Sequence, residues 1–477
     1  MFDKPKESCG VFGILTPDRD DAAVNAYAGL YFLQHRGQEG AGIFVAAENG
    51  FVGKKALGLL DDVIKEPELR SWKGPIAIGH VRYSTTGSNT EKNAQPFVLN
   101  IAPNQQIAVA HNGNLTNTAK LFQFLSEHSA ISPESTTDTE LIAHLIAFLL
   151  NQYQCGIKEA VARAAAMLEG AFSLVIMTSD ELIALRDSFG FRPLILGHII
   201  DDKRSSIGYY VASESCVAQY KNFRYIREIK PGEMIVIHSN KYESWPILKC
   251  LKQAFCIFEF IYFARPDSRF FEMNVAKVRE QLGQILWEEK PADVDAVVAI
   301  PDSGLFAAQG YAEAGKKLFR LSFVRSHYSP RTFIRPEQQA RDNDIYLKLS
   351  DLAEMVRGQR IVLIDDSIVR ATTSKKILDM LYRGGAKEIH VRISSAPIKF
   401  PCFYGIDTRS KKELIAANKT IEEIKDFIGA TTLGYLSLEG MIQATRLPSN
   451  IFCTACFNGD YPTEIAEDDR NKYLLEK

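Results

Sequence analysis

The segment Arg360-Ile-Val-Leu-Ile-Asp-Asp-Ser-Ile-Val-Arg-Ala-Thr-Thr-Ser374 constrains the fold more than any other part of the chain. A run of β-formers ends in two adjacent carboxylates, and a hydroxyl-rich turn leads into a helical pattern that begins near Lys375. Such a turn presents backbone N–H groups and hydroxyls at a helix N-terminus, which suits a phosphate. Asp365 and Asp366 suit a divalent cation, or hydroxyl groups beside that phosphate. It is not a Walker loop, because no G-x-x-x-x-G-K-[ST] is present.

The segment sits in an alternation typical of parallel α/β units. The pattern predicts strand Ala296–Ile300, helix Gly304–Glu313, strand Leu318–Arg325, strand Arg360–Ile364, helix Ser374–Tyr382 and strand Glu388–Ser394. Upstream, from Cys9 to about Ile237, short apolar runs alternate with Gly- and Asn-rich turns, interrupted by helical stretches at Asp21–Gln34 and Asp138–Gln152. That mixture predicts sheets flanked by helices. Between the halves, Asn240–Gln253 reads as a connector, where periodicity fades and Pro246 interrupts. The polar, charged stretch Arg331–Lys348 reads as a lid, and the acidic tail after Gly459 as a segment that frays. A chain of 477 residues exceeds one ordinary core, so two domains or more are expected.

Composition excludes several classes. A formal charge of −2 gives no drive toward nucleic acid or an anionic membrane. The most apolar stretches, Leu141–Leu150 and Phe255–Ala264, are too short to span a bilayer and carry His144 and Glu259. Met1–Ser8 has no hydrophobic core and is no secretory signal. Eight cysteines in so long a chain point to metal or catalysis rather than a secreted disulfide scaffold, and the cytoplasm is the expected compartment.

Cys9 opens the run Cys-Gly-Val-Phe-Gly-Ile14, and alone it reads equally well as a buried residue of a first strand. Four further stretches follow in order: His35-Arg-Gly-Gln-Glu-Gly-Ala-Gly-Ile43, Gly79-His-Val-Arg-Tyr-Ser-Thr-Thr-Gly87, His111-Asn-Gly-Asn-Leu115 and Thr137-Asp-Thr-Glu140. Together they resemble the glutaminase domain of class II, N-terminal-nucleophile amidotransferases. The resemblance implies Cys9 as nucleophile, Asn112 and the Gly113 N–H as oxyanion donors, Arg82 on the glutamine α-carboxylate and Asp138 on the α-ammonium. A terminal cysteine can use its own α-amine as base, since a free α-amino group ordinarily titrates at roughly 7.7–8.0. Removing Met1 alone would not expose that amine, so the resemblance also implies a propeptide, residues 1–8, cut between Ser8 and Cys9.

Arg360–Ser374 resembles the 5-phosphoribosyl-1-pyrophosphate (PRPP) signature of type I phosphoribosyltransferases. Val298-Ala-Ile-Pro-Asp-Ser-Gly304 resembles a pyrophosphate-binding turn, with Ser303 at the magnesium-associated position. Arg331-Thr-Phe-Ile334 and Lys348-Leu349 resemble the loop that closes over PRPP. From Cys9 to Pro462 the chain is similar to the amidophosphoribosyltransferase family. That implies PRPP, glutamine and water giving 5-phosphoribosylamine, glutamate and pyrophosphate, the first step of de novo purine synthesis. The implied PRPP contacts are Ser303, Arg331, Lys348, Asp365, Asp366, Ser367, Arg370, Thr372, Thr373 and Ser374, with one Mg²⁺ per subunit at Ser303, Asp365 and Asp366.

Cys453-Thr-Ala-Cys456, with Cys256 and Cys402 far upstream, could be a redox pair, a zinc half-site or incidental thiols by spacing alone. The surrounding segments look like the iron–sulfur branch of the family, which implies one structural [4Fe–4S] cluster per subunit on those four cysteines. Cys155, Cys216 and Cys250 have no assigned role.

The expected architecture is an αββα glutaminase domain at 9–239, a connector at 240–259, a type I phosphoribosyltransferase α/β domain with the cluster-binding region at 260–459, and a polar tail at 460–477. The resemblance also implies a homotetramer inhibited by purine nucleotides. Two alternatives are a diverged paralogue feeding phosphoribosylamine to a specialised pathway and a silent PRPP- or nucleotide-binding regulator. The chain departs from the usual pattern at Ala371, where glycine is usual, at Gly40 and Ser188, and at Arg325-Ser-His-Tyr328, where His327 replaces a stronger cation. A methyl at 371 costs about 1 kcal/mol if the backbone there needs φ > 0, and Ala371→Gly is expected to lower the KM for PRPP.

Overall fold

The computed structural model describes residues 9–476 apart from 85–86, 103–104, 130–132, 326–348, 409, 467–469 and 472. The propeptide at 1–8 and the lid residues His327, Arg331 and Lys348 therefore lie outside the described residues.

Alternation of apolar residues in the first half produces two antiparallel sheets. The seven-stranded sheet has Gly10–Leu15 near its centre, between Ser206–Ala212 and Ile76–Arg82. The six-stranded sheet is centred on Gln105–Leu115, Gly170–Met177 and Glu181–Arg186. Val11, Ile78, Ala110, Val175 and Ile235 fill the space between the sheets. Helix Ala22–Leu33 covers the outer face of the first sheet, and helices Asp138–Tyr153 and Ile157–Met167 cover that of the second. This is the four-layer αββα order expected from the sequence.

The stretch expected to be a connector begins with a strand, Lys241–Pro246, paired to Glu233–His238 at the sheet edge. Its polar residues hide it from periodicity because an edge strand has one wet side, and Pro246 is tolerated at its end because an edge needs no further ladder donor.

In the second half, continuous apolar runs give a five-stranded parallel sheet in the order Leu318–Arg320, Ala296–Ala299, Arg360–Asp365, Glu388–Ile393, Thr432–Tyr435. Helices Thr372–Arg383 and Ile421–Ile428 pack on one face, and Val275–Glu289 and Leu305–Gly315 on the other. The expected strand Leu318–Arg325 is divided: Phe323–Arg325 leaves the sheet and pairs antiparallel with Leu349–Asp351. The strand Thr432–Tyr435 was not anticipated; it is short and carries a glycine.

One apolar core crosses between the halves, joining Ala171 and Phe191 to Phe255, Phe260 and Tyr404. The tail does not simply fray, for Ile465 packs against this core and Leu475 against the outer face of the six-stranded sheet. Among the described residues no helix is long and apolar enough to cross a membrane.

Candidate active sites in the two halves

Strand register assembles the first site. Pairing of Gly10 with Val81 sets Cys9 beside Arg82 at the ends of neighbouring strands. Cys9 is 4% exposed, and its Sγ donates to the Tyr83 carbonyl at 3.2 Å while the Tyr83 N–H approaches Sγ at 3.4 Å. Burial pushes this thiol up, and the Tyr83 hydrogen bond and the Arg82 charge oppose that rise. Cys9, Arg82, Gly113 and Asp138 line one narrow cleft, together with Gln95 and Thr137.

Each wall of the cleft is braced. Arg82 Nη1 donates to Ser84 Oγ at 3.0 Å and to Asn89 Oδ1 at 3.3 Å. Ser84 donates through both N–H and Oγ to Glu39. Asp138 stands in the first turn of its helix, where a carboxylate is favoured, and accepts from the Leu115 N–H at 3.0 Å. The loop before it is tied by Glu140, which accepts from the N–H groups of Glu134 and Ser135. Burial alone would raise the Glu140 carboxyl, but His144, Ser135 and these N–H groups bring it down to about 2.

Asn112 is fully buried, with Nδ2 donating weakly to Ser213 Oγ at 3.4 Å and Oδ1 without a hydrogen-bond partner among the described residues. A buried amide with one long bond retains capacity for a ligand. Gly113 must be glycine, since a Cβ there would meet the Ala171 carbonyl oxygen at 2.0 Å. Behind this strand stands the loop after Cys402, where the Phe403 carbonyl accepts from Asn114 Nδ2 at 3.0 Å.

The second site occupies the carboxyl end of the parallel sheet, where α/β folds bind ligands. Asp365 and Asp366 close the central strand, 4% and 0% exposed. Asp365 Oδ1 accepts from the Asp366 N–H at 2.9 Å, and Ser367 Oγ donates to Asp366 Oδ2 at 2.7 Å. The chain then turns through Ala371 at φ +64°, so the left-handed conformation suspected from sequence is present. Helix Thr372–Arg383 starts there, and Ala371 offers no side-chain cap to its first N–H groups. Buried Ser374 lies in that first turn, and Arg370 is tied on the rim to Glu413. Ser303 lies on the adjacent turn, where Gly304 approaches so closely that a Cβ would sit 2.6 Å from the Ile364 carbonyl oxygen. Thus Ser303 and Asp365–Ser374 share one end of the sheet.

The four cysteines converge from three segments. Cys256 and Cys453 are register partners in a short parallel pair. The Cys456 carbonyl accepts from the Lys399 and Phe400 N–H groups at 3.0 Å, drawing the loop of Cys402 alongside. Burial pushes the Cys256, Cys453 and Cys456 thiols up, and the neighbouring cysteines add to the rise. The Tyr404 N–H points at Cys402 Sγ from 3.4 Å. Arg192 is wholly buried nearby, its charge opposing the rise at Cys256 and Cys453, and none of its guanidinium nitrogens makes an aligned hydrogen bond. Buried thiols beside a buried cation, itself paired to Glu259 at 2.9 Å, fit an anionic metal–thiolate group. Among the described residues, however, no three His, Cys, Asp or Glu are disposed to hold a metal ion.

Sequence reasoning missed the main-chain groups of Tyr83 that bracket Cys9, since backbone donors leave no side-chain signature. It also missed the contact of Arg36 with Glu259, 223 residues apart.

Residues 80–216 match the family profile of a glutamine amidotransferase domain. The amidophosphoribosyltransferase of Synechococcus elongatus is 44% identical, covering 99% of this chain and 95% of that protein. That of Methanocaldococcus jannaschii is 42% identical over 96% and 98%. The structure of glutamine PRPP amidotransferase from Bacillus subtilis, complexed with ADP and GMP, superposes with a TM-score of 0.88 at 42% identity, covering 96% of this chain and 98% of that one. A structure described as the allosteric regulatory enzyme of purine biosynthesis superposes at 0.90, with 41% identity over 98% and 99%. With both halves matched over nearly their whole length, the chain belongs to the amidophosphoribosyltransferase family.

Proposed function

We propose a division of labour between the two sites in the family's reaction, glutamine-dependent amination of PRPP to 5-phosphoribosylamine. Cys9, once its α-amine is freed by cleavage after Ser8, transfers its thiol proton to that amine and attacks the glutamine amide carbon. Asn112 Nδ2 and the Gly113 N–H receive the oxyanion. Arg82 clamps the α-carboxylate and Asp138 receives the α-ammonium. The α-ammonium of Cys9 returns that proton to the amide nitrogen, ammonia leaves as the thioester forms, and water hydrolyses the thioester to glutamate and the free thiol.

In the second site Asp365 and Asp366 hold the ribose hydroxyls, while Ser367, Arg370, Thr372, Thr373 and Ser374 surround the 5-phosphate. Ammonia attacks C1 as pyrophosphate departs past Ser303, with Arg331 and Lys348 as lid cations that exclude water. Ser303, Asp365 and Asp366 would hold one magnesium ion per subunit, which when bound offsets pyrophosphate charge. Cys256, Cys402, Cys453 and Cys456 would hold one [4Fe–4S] cluster per subunit, whose chemistry is to cross-link three segments. A cytoplasmic homotetramer inhibited by purine nucleotides completes the reading.

The observation that carries it is the convergence of Cys9, Arg82, Gly113 and Asp138 on one cleft, in a chain whose central parallel strand ends at Asp365, next to Asp366. Mass spectrometry of the purified protein should find Cys9 at the N-terminus, and glutamine should drive pyrophosphate release from PRPP. An intact residue 1–8 segment on fully active enzyme would refute the proposed base.

A further inference from the structure

The carbonyl of Cys9 accepts from Arg36 Nε at 3.0 Å. The other side of the same guanidinium grips Glu259, Nη1 to Oε2 at 2.9 Å and Nη2 to Oε1 at 2.8 Å, and also meets Glu214. All three side chains are wholly buried. Arg36 and Glu214 belong to the glutaminase layers, whereas Glu259 opens the π-helical turn Glu259–Phe263 that begins the second half. That turn is fixed from behind, because Arg279 of helix Val275–Glu289 donates to the Phe260 carbonyl at 2.9 Å and the Ala264 carbonyl at 2.8 Å.

The bidentate pair with Glu259, together with the Glu214 contact on Nη1, fixes the guanidinium in plane and rotation and so keeps Nε on the Cys9 carbonyl. Arg192 Nη2 approaches the same carboxylate at 2.9 Å as a charge contact without hydrogen-bond alignment, so Arg36 is the partner that sets its orientation. Cys9 precedes the first residue of its strand, Gly10, and the Arg36 bond to its carbonyl anchors it beyond the ladder. Holding that carbonyl fixes the direction in which Cα–Cβ–Sγ leaves the chain.

We infer that Glu259 is a positioning residue for the nucleophile, acting through Arg36, so that the second half of the chain sets the aim of Cys9. This rests on Cys9 being the glutaminase nucleophile, and Cys9→Ala tests that separately: a variant that still uses glutamine removes the underlying reading, whatever Glu259 does. The inference is tested in the full-length enzyme with Glu259→Asp, which keeps the charge but withdraws the carboxylate by one methylene. A misplacement of this order costs about ten- to a hundredfold in an oriented reaction. Expected are a fall of that size in glutamine kcat/KM, and an equal slowing of Cys9 labelling by a diazoketone analogue of glutamine, followed by peptide mapping. Activity with free ammonia and the unfolding temperature should stay close to the parent. A parallel loss of ammonia-dependent activity would mean that Glu259 only supports the fold; no loss in either would mean that Cys9 is aimed without it. Arg36→Lys, which keeps charge but cannot fork, guards against a folding failure of Glu259→Asp and is read by the same split. If both act through one contact, the double variant labels no more slowly than the slower single variant, and additive slowing overturns the inference.

Discussion

The two candidate sites solve the problem of holding a charged small molecule in opposite ways. The glutaminase cleft is enclosed by antiparallel strands, and its polar groups are already tied to protein: Arg82 to Ser84 and Asn89, Asp138 to Leu115, Glu39 to Ser84. The phosphoribosyl site is a strand-to-helix turn whose buried carboxylates are held by neighbours in sequence, Asp365 by the Asp366 N–H and Asp366 by Ser367, and whose helix starts without a side-chain cap. Preorganisation governs the first, because a tetrahedral oxyanion exists only in passing and must find its donors in place. The ligand proposed for the second is a stable polyanion, which adds hydrogen bonds of its own to the turn as it binds. Substitutions in the first site should therefore strike turnover with glutamine alone, and those in the second should strike PRPP affinity with either nitrogen donor.

Removing the nucleophile separates the two most sharply. Cys9→Ala is expected to lower glutamine-dependent turnover by on the order of a thousandfold or more, while ammonia-dependent synthesis of phosphoribosylamine continues. Loss of both, measured as pyrophosphate release with each donor, would show that the halves are not separable sites.

Asp366→Asn comes next. It exchanges one charged acceptor, bonded to Ser367 at 2.7 Å, for a neutral one. A hydrogen bond to a charged group contributes about 1.5–3 kcal/mol, so the KM for PRPP should rise about ten- to a hundredfold, equally with glutamine and with ammonia. A rise confined to the glutamine reaction would contradict the assignment of this carboxylate to PRPP.

These contrasts were unevenly legible in the sequence. Arg360–Ser374 could be recognised because everything it needs is local: a β run, two carboxylates, a hydroxyl turn and a helical start lie within one segment. The glutaminase cleft is assembled from strands far apart in the chain, so its side chains became legible only through resemblance. The contacts of Tyr83 and Glu259 stayed invisible, one made by backbone groups to Cys9 and the other to Arg36 across a distance in sequence that only the fold closes. The edge strand Lys241–Pro246 was hidden for a different reason, since wet faces carry no apolar period. Ala371 was suspected correctly, because a left-handed turn is a requirement of local geometry.

A smaller effect tests how far the glutaminase cleft depends on its bracing. Glu140 is lowered from 4.5 to about 2, so its charged form is the one the fold binds. The sign follows: its contribution to stability is present above pH 4.5 and is lost as pH falls toward 2. Glu140→Gln should lower the unfolding temperature at pH 7 by about 2–4 °C, with a difference from the parent that shrinks toward pH 3 in calorimetry. A constant gap across that range would mean that packing, not charge, makes the contribution.

Ala371→Gly should have the smallest effect, and it sharpens what the open turn is. An alanine at φ +64° carries left-handed strain of about 1–2 kcal/mol. Glycine relieves it but loses about 0.5–1 kcal/mol through greater freedom of the unfolded chain. The methyl is also 1% exposed, packed in the apolar cluster with Ile300, Ile368 and Ile377, so glycine forfeits that contact as well. These terms nearly cancel, and stability should change by less than about 1 kcal/mol. Because the methyl belongs to the core cluster, its strain is the same with and without ligand and drops out of binding. The expected fall in the KM for PRPP is therefore no more than about twofold. A tenfold fall in steady-state kinetics would show instead that the turn must move to accept the phosphate.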